Sequence, residues 1–238
     1  SSGVVLNGVL SGGYSLTKAG PATLTLGGVN TYGGNTTVSA GALLLANNSA
    51  LGAGTLVMSG GTVSSDGTSA RTLTNGITFG GAVTLGDVGK NGVLTFGGAG
   101  TLTSNATMTV DSGVVLNGAL GGAFTLTKSG AGELTLGGVN TFSGNTTVNA
   151  GTLTLNNGSA IGDGGTVVLA TAGSLKLGGS ETIGVLTASG SGGVNLQGNV
   201  LTISGSTASN VGVVVSGSGS LTKGGTGALT LSGANTFS

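Results

Sequence analysis

The chain has 238 residues, 54 of them glycine, with one proline and neither cysteine nor histidine. Only 5% are charged, six basic against six acidic and scattered singly, so the chain carries no electrostatic footprint for nucleic acid, anionic lipid or a charged substrate. The lack of cysteine removes disulfides, thiolate chemistry and Cys-based metal sites, and the lack of a Gly-X-Y period removes collagen.

Taken in chain order, the first residues, SSGVVLNGVLSGG, lack the basic flank and apolar stretch of a signal peptide. No apolar run long enough to span a bilayer follows, so the chain is expected not to insert in a membrane. ATLTLGG at 22–28 opens a series of short alternating runs, followed by GVLTFGG, GTLTSNATMTV, GTLTLNN, GSLKLGG and NVLTISG. Period two predicts strands with one buried face. In the first run Leu24 and Leu26 point inward and Thr23 and Thr25 outward; at 152–156 the inward pair is Leu153 and Leu155. Between strands stand Gly-Gly, Asn-Gly, Ser-Gly and Asn-Asn pairs, which supply the positive φ of tight corners. No segment holds a helical apolar stripe, so almost no α-helix is expected.

Residues 15–52 return as residues 125–162, identical at 25 of 38 positions, and the block starts a third time at 220–238. The second copy starts 110 positions after the first and the third 95 after the second; the difference of 15 is not a whole rung of the roughly 20 to 25 residues assumed for a solenoid. A sandwich core would need more than seven Phe and Tyr. An all-β parallel β-helix, a single continuous β-solenoid over 1–238 with about ten rungs, fits better, its thin interior filled by Leu, Val, Ile, Ala, Thr and Asn.

The blocks LTKSGAGELTLGGVNTFSGNTTVNAGTLTLNNGSAIG and LTKGGTGALTLSGANTFS resemble the autotransporter-associated β-strand repeat of type V secreted passengers. The resemblance implies a right-handed parallel β-helix, export across the outer membrane of a Gram-negative bacterium, and a place outside the cell or on its surface. The third block breaks off at NTFS where both earlier copies continue GNTTV, so the chain is expected to be a segment of a longer protein, and any signal peptide or translocator barrel would lie elsewhere.

The residues themselves carry little chemistry. The acids Asp66, Asp87, Asp111, Glu133, Asp163 and Glu181 are read as solvated corner residues, with Asp163 and Glu181, 18 apart, as the pair that stacking could join. GDGGTVVLA at 162–170 is a single faint echo of a calcium-binding β-roll. Asn30, Asn35, Asn140, Asn145 and Asn235 are read as structural corners, Tyr14, Phe124, Tyr32, Phe142 and Phe237 as packing rings, and Lys18, Lys128 and Lys223 as outward charges that discourage edge pairing. No catalytic, cofactor-binding or metal-ligating residue is expected, and no cofactor. The expected function is non-enzymatic: a rigid stalk or self-assembling extracellular fibre, associating end to end or side by side. The alternatives are an adhesin whose Thr/Asn face meets a glycan or cell-surface ligand, and an ice-binding solenoid built on the Thr-x-Thr pairs at 23–25, 101–103, 107–109 and 152–154.

Overall fold

The computed structural model describes residues 3–238, and among them it contains strands and corners but no helix. Apart from one isolated antiparallel bridge, Asp87 with Lys90, every strand pairing is parallel. The glycine-rich corners turn the chain through three walls per circuit, giving a parallel β-solenoid of about eleven turns.

The first wall stacks Val4–Leu6, Thr23–Leu26, Ala42–Leu45, Thr62–Ser65, Ala82–Leu85, Ala106–Val110 and Leu126–Ser129. It continues through the first parts of the long strands Thr146–Leu155 and Thr166–Leu177, then Val185–Ala188, Ser209–Val211 and Leu229–Leu231. The second wall holds Arg71–Leu73, Leu94–Phe96, Val114–Leu116, Glu133–Leu136, the remaining parts of the two long strands, Gly193–Asn195 and Val214–Ser216. The third holds Leu16–Lys18, Thr36–Val38, Leu56–Met58, Ile77–Phe79, Gly100–Leu102 and Leu120–Gly121, and higher up Glu181–Ile183, Val200–Ile203 and Ser220–Lys223.

Alternation selects the core. Leu26, Leu43, Leu45, Leu134, Leu136, Leu153 and Leu155 are fully buried, and Leu24, near one end, packs half-buried against them. Each buried leucine contributes about 2 kcal/mol relative to exposure, and Phe79, Phe96, Met58 and Met108 are fully buried in the same core.

The stacking accounts for the unequal repeat intervals. On the third wall Leu16 stacks below Thr36, Leu56, Ile77, Gly100 and Leu120 in successive turns. Side-chain bonds carry the same column from Leu120 to Asn140, from Asn140 to Ala160 and from Ile161 to Glu181, and strand pairing carries it on to Leu201 and Leu221. From Leu16 to Leu221 the column climbs ten turns, so a turn takes on average about 20 residues, at the short end of solenoid repeats. Leu126, the equivalent of Leu16 in the second copy, lies instead on the first wall between Ala106 and Thr146. The two repeat intervals are therefore close to five and a third and four and two-thirds turns. Neither is a whole number; their sum is.

Most steps on the first wall stay near that average, as between Leu24 and Leu43 or Val63 and Leu85. The longest, from Leu85 to Val110, pushes out a tight turn in which Lys90 pairs with Asp87 at 2.9 Å and Val88 is 75% exposed.

Candidate functional site

The most regular polar device is the lysine of each LTK strand. The strand parity that sends Leu16 inward also sends Lys18 inward, so these lysines are not the outward charges that their repetition suggests. Lys18 and Lys128 are buried. The Lys18 ammonium donates to the carbonyls of Ala19, Gly20 and Ala40 at 3.2, 2.8 and 2.9 Å. Lys128 repeats this with Ser129, Gly130 and Ala150 at 3.2, 2.9 and 2.9 Å, which uses all three of its N–H donors. One corner is thereby tied to the corner of the next turn. The crossing needs Gly41 and Gly151, both at positive φ: a Cβ on Gly41 would stand 2.5 Å from the Lys18 Nζ, and one on Gly151 would stand 2.6 Å from the carbonyl of Gly130. Burial pulls the Lys128 pKa down to about 8, with Asp111 acting the other way, so the group stays charged at neutral pH.

The asparagines act as expected of structural corners, by a specific geometry. Asn140 is buried where the third wall has no strand; its Oδ1 accepts from Leu120 N at 2.7 Å and its Nδ2 donates to the Ala160 carbonyl at 2.8 Å. Asn30 does the same on the second wall with Leu10 N and the Ala50 carbonyl, at 2.9 and 2.6 Å. One side chain thus bridges three turns and restores the ladder that the irregular backbone lacks. Two turns above Asn140, Glu181 takes over: it is buried and accepts from Ile161 N at 2.7 Å and Ala160 N at 3.3 Å. Glu181 is therefore no solvated corner residue. Burial raises its pKa to about 7, against the two backbone bonds that lower it, and the charge of Asp163 adds to the rise.

Tyr32 and Phe142 plug the core at equivalent places, as packing rings should. Tyr14 and Phe124 do not: they are 82% and 37% exposed, because they stand at corners outside the tube. The Tyr32 hydroxyl bonds the buried Thr36 hydroxyl, whereas Thr146, its equivalent beside Phe142, is buried with no partner among the described residues. Replacing Phe142 by Tyr should therefore stabilise the protein by about 1 kcal/mol, read as a rise in the denaturation midpoint; an unchanged or lower midpoint would contradict this pairing.

The remaining acids are dispersed. Asp66 pairs with Arg71 at 2.7 Å, and the charge of Asp111 reaches Lys128. Asp163 sits in the turn that Gly165 closes on Gly162, and the field of Asp163 on Glu181 joins the one acid pair anticipated from spacing. Among the described residues no three His, Cys, Asp or Glu side chains come together to hold a metal. The Thr-x-Thr pairs at 23–25 and 107–109 lie on the first wall, 101–103 on the third and 152–154 on the second, so they do not stack into one array. Glu133, on a strand rather than a corner, receives a bond from Thr154 at 2.5 Å and pairs with Lys176 at 3.3 Å.

A parallel solenoid tied by internal lysine and asparagine clamps defines a β-solenoid repeat protein. The model of the passenger-associated-transport-repeat family matches residues 16–45, 126–155 and 221–238, the segments that carry these clamps. A 92-residue stretch is 41% identical to the adhesin BmaC autotransporter of Brucella suis biovar 1 (strain 1330), covering 34% of this chain and 3% of the relative. No solved structure matches the chain. Repeats, solenoid and relative all fit an autotransporter passenger with β-helix repeats.

Proposed function

We propose that this passenger segment is a rigid, non-enzymatic stalk on the surface of a Gram-negative cell, setting distance and direction for whatever it carries. One observation supports this most: the residues that define each repeat, Leu16, Lys18, Asn30 and Tyr32 with their equivalents, point into the tube, and successive copies are rotated by a third of a turn. A repeat that encoded a binding face would keep its outward residues on one side. This one encodes rungs and their clamps, which suits a rod whose length follows from rung number. An adhesive role is the second reading, favoured by the likeness to the Brucella adhesin. End-to-end stacking of such rods into a fibre is the self-assembling form of the same proposal.

A stalk must resist proteases. Limited trypsin digestion of the folded protein should cut first after Lys90, in the protruding turn, because Lys18 and Lys128 are buried and Arg71 is held to Asp66 and to the Leu45 carbonyl. Rapid cleavage after Lys18 or Lys128 under native conditions would sink the rigid-rod reading.

A further inference from the structure

The outer side of the second wall carries two side-by-side columns. One runs Val93, Gly113, Glu133, Thr152, Ser174, Gly193 and Val214 up the rod; the other runs Thr95, Val115, Thr135, Thr154, Lys176, Asn195 and Ser216. The two glycines remove side chains from the first column, and a hollow lies at each. The lower, about 160 Å³, is lined by Val93, Val115, Glu133 and Thr135 among others. The upper, about 280 Å³, includes Ser174, Lys176, Asn195, Val214 and Ser216. Gly113 and Gly193 are four turns apart, about 19 Å along the axis.

Between the hollows stands the Glu133 carboxylate. Thr154 and Lys176 both donate to its Oε1, at 2.5 and 3.3 Å, and among the described residues no donor reaches Oε2. Those bonds hold the pKa of Glu133 below the ordinary carboxylate value, the Thr154 hydroxyl first, so the group is a fixed, charged acceptor with one oxygen free. The rod does not require this arrangement: in the first repeat copy Thr23 stands where Glu133 does and Leu44 where Thr154 does. Lys176 lies outside the repeat blocks.

We propose that this wall binds an extended, uncharged glycan lying along the rod axis, with sugar rings in the two hollows and a hydroxyl donating to Glu133 Oε2. The chemistry selects that ligand. Thr, Ser and Asn supply hydroxyl and amide partners, Val93 and Val214 supply apolar contact for the C–H face of a sugar, and the lone Glu133–Lys176 pair is neutral in sum. A protein partner would want a contiguous apolar centre with Trp, Tyr or Arg anchors, and neither column has one. The inference goes beyond the stalk reading, which stands or falls on proteolysis whatever is found here.

The test is titration of the folded protein with linear neutral hexasaccharides (cellohexaose, maltohexaose, chitohexaose) beside sulfated and sialylated chains. One neutral hexasaccharide should bind, Glu133→Gln and Gly193→Thr should each weaken it at least tenfold with the melting curve kept, and Thr182→Val on the third wall should leave it unchanged. If Gly193→Thr disturbs folding, Glu133→Gln decides alone. Failure of every neutral hexasaccharide to bind, binding of charged chains only, or unchanged affinity in Glu133→Gln would overturn the proposal.

Discussion

Replacing Lys128 by Met is expected to destabilise the turns it joins by about 3 kcal/mol, because methionine fills the space of the stem but leaves three carbonyls facing a buried site with no donor. A solenoid unfolds through nearest-neighbour units, so the loss should be local. Amide exchange within Leu126–Ser129 and 146–151 should quicken by roughly a hundredfold, the equivalent of about 3 kcal/mol. Amides far away, at Thr36–Val38 for instance, should hardly change. Lys18→Met should behave alike at its own corner, since Lys18 makes the same three bonds. Among the described residues Lys223 bonds only the Gly225 carbonyl, and its replacement should cost less. If Lys128→Met exchanged like the parent protein, the ammonium would not be the clamp described.

The second large effect is one of pH. Glu181 has an ordinary value of 4.5 when unfolded and about 7 in the fold, where burial is the main cause. Between those two values the folded state holds a proton that the unfolded chain has released. By linkage, stability must then fall as pH rises through this window, by about 3 kcal/mol in total, with the loss complete a little above pH 7. The protein should be tighter at pH 5 than at pH 8, and the change should concentrate in the turns around Ala160, Ile161 and Glu181. Glu181→Gln should remove most of the dependence, since an amide serves the equivalent position two turns below, where Asn140 accepts from Leu120 N and donates to the Ala160 carbonyl. At pH 8 the variant should be the more stable of the two. Parallel stability curves for variant and parent between pH 5 and 8 would show that Glu181 does not carry the effect.

The architecture was legible because two signals agree: alternation at period two, and glycine corners recurring at the length of a wall. Leu153 and Leu155 could be assigned to the core from parity alone. The same parity also reaches Lys18 and Glu181, since Leu16 and Ile183, two residues away on their strands, face inward. Their charge argues against the inside only until the corner carbonyls and backbone N–H groups that receive them are placed, and no pattern within one strand places those. The third-of-a-turn rotation needs the true turn length, which the spacing of the repeat blocks conceals. Glu133, Thr154 and Lys176 were hidden for the same reason: they meet across steps of 21 and 43 residues, distances without meaning in the sequence until the turn is known. Tyr14 and Phe124 went the other way, because equivalence to each other says that a position is special but not which side of the wall it occupies.

Leu16 and Leu221 lie on one wall of the solenoid, ten turns apart, and the proposed stiff rod would hold that distance fixed. The chain has no cysteine of its own, so spin labels at Thr17→Cys and Thr222→Cys, both outward on the third wall, report that separation directly by electron–electron dipolar coupling. A stiff rod gives a narrow distribution centred at about 48 Å, ten turns of about 4.8 Å. A broad distribution, or a centre well short of that length, would contradict a continuous rigid solenoid.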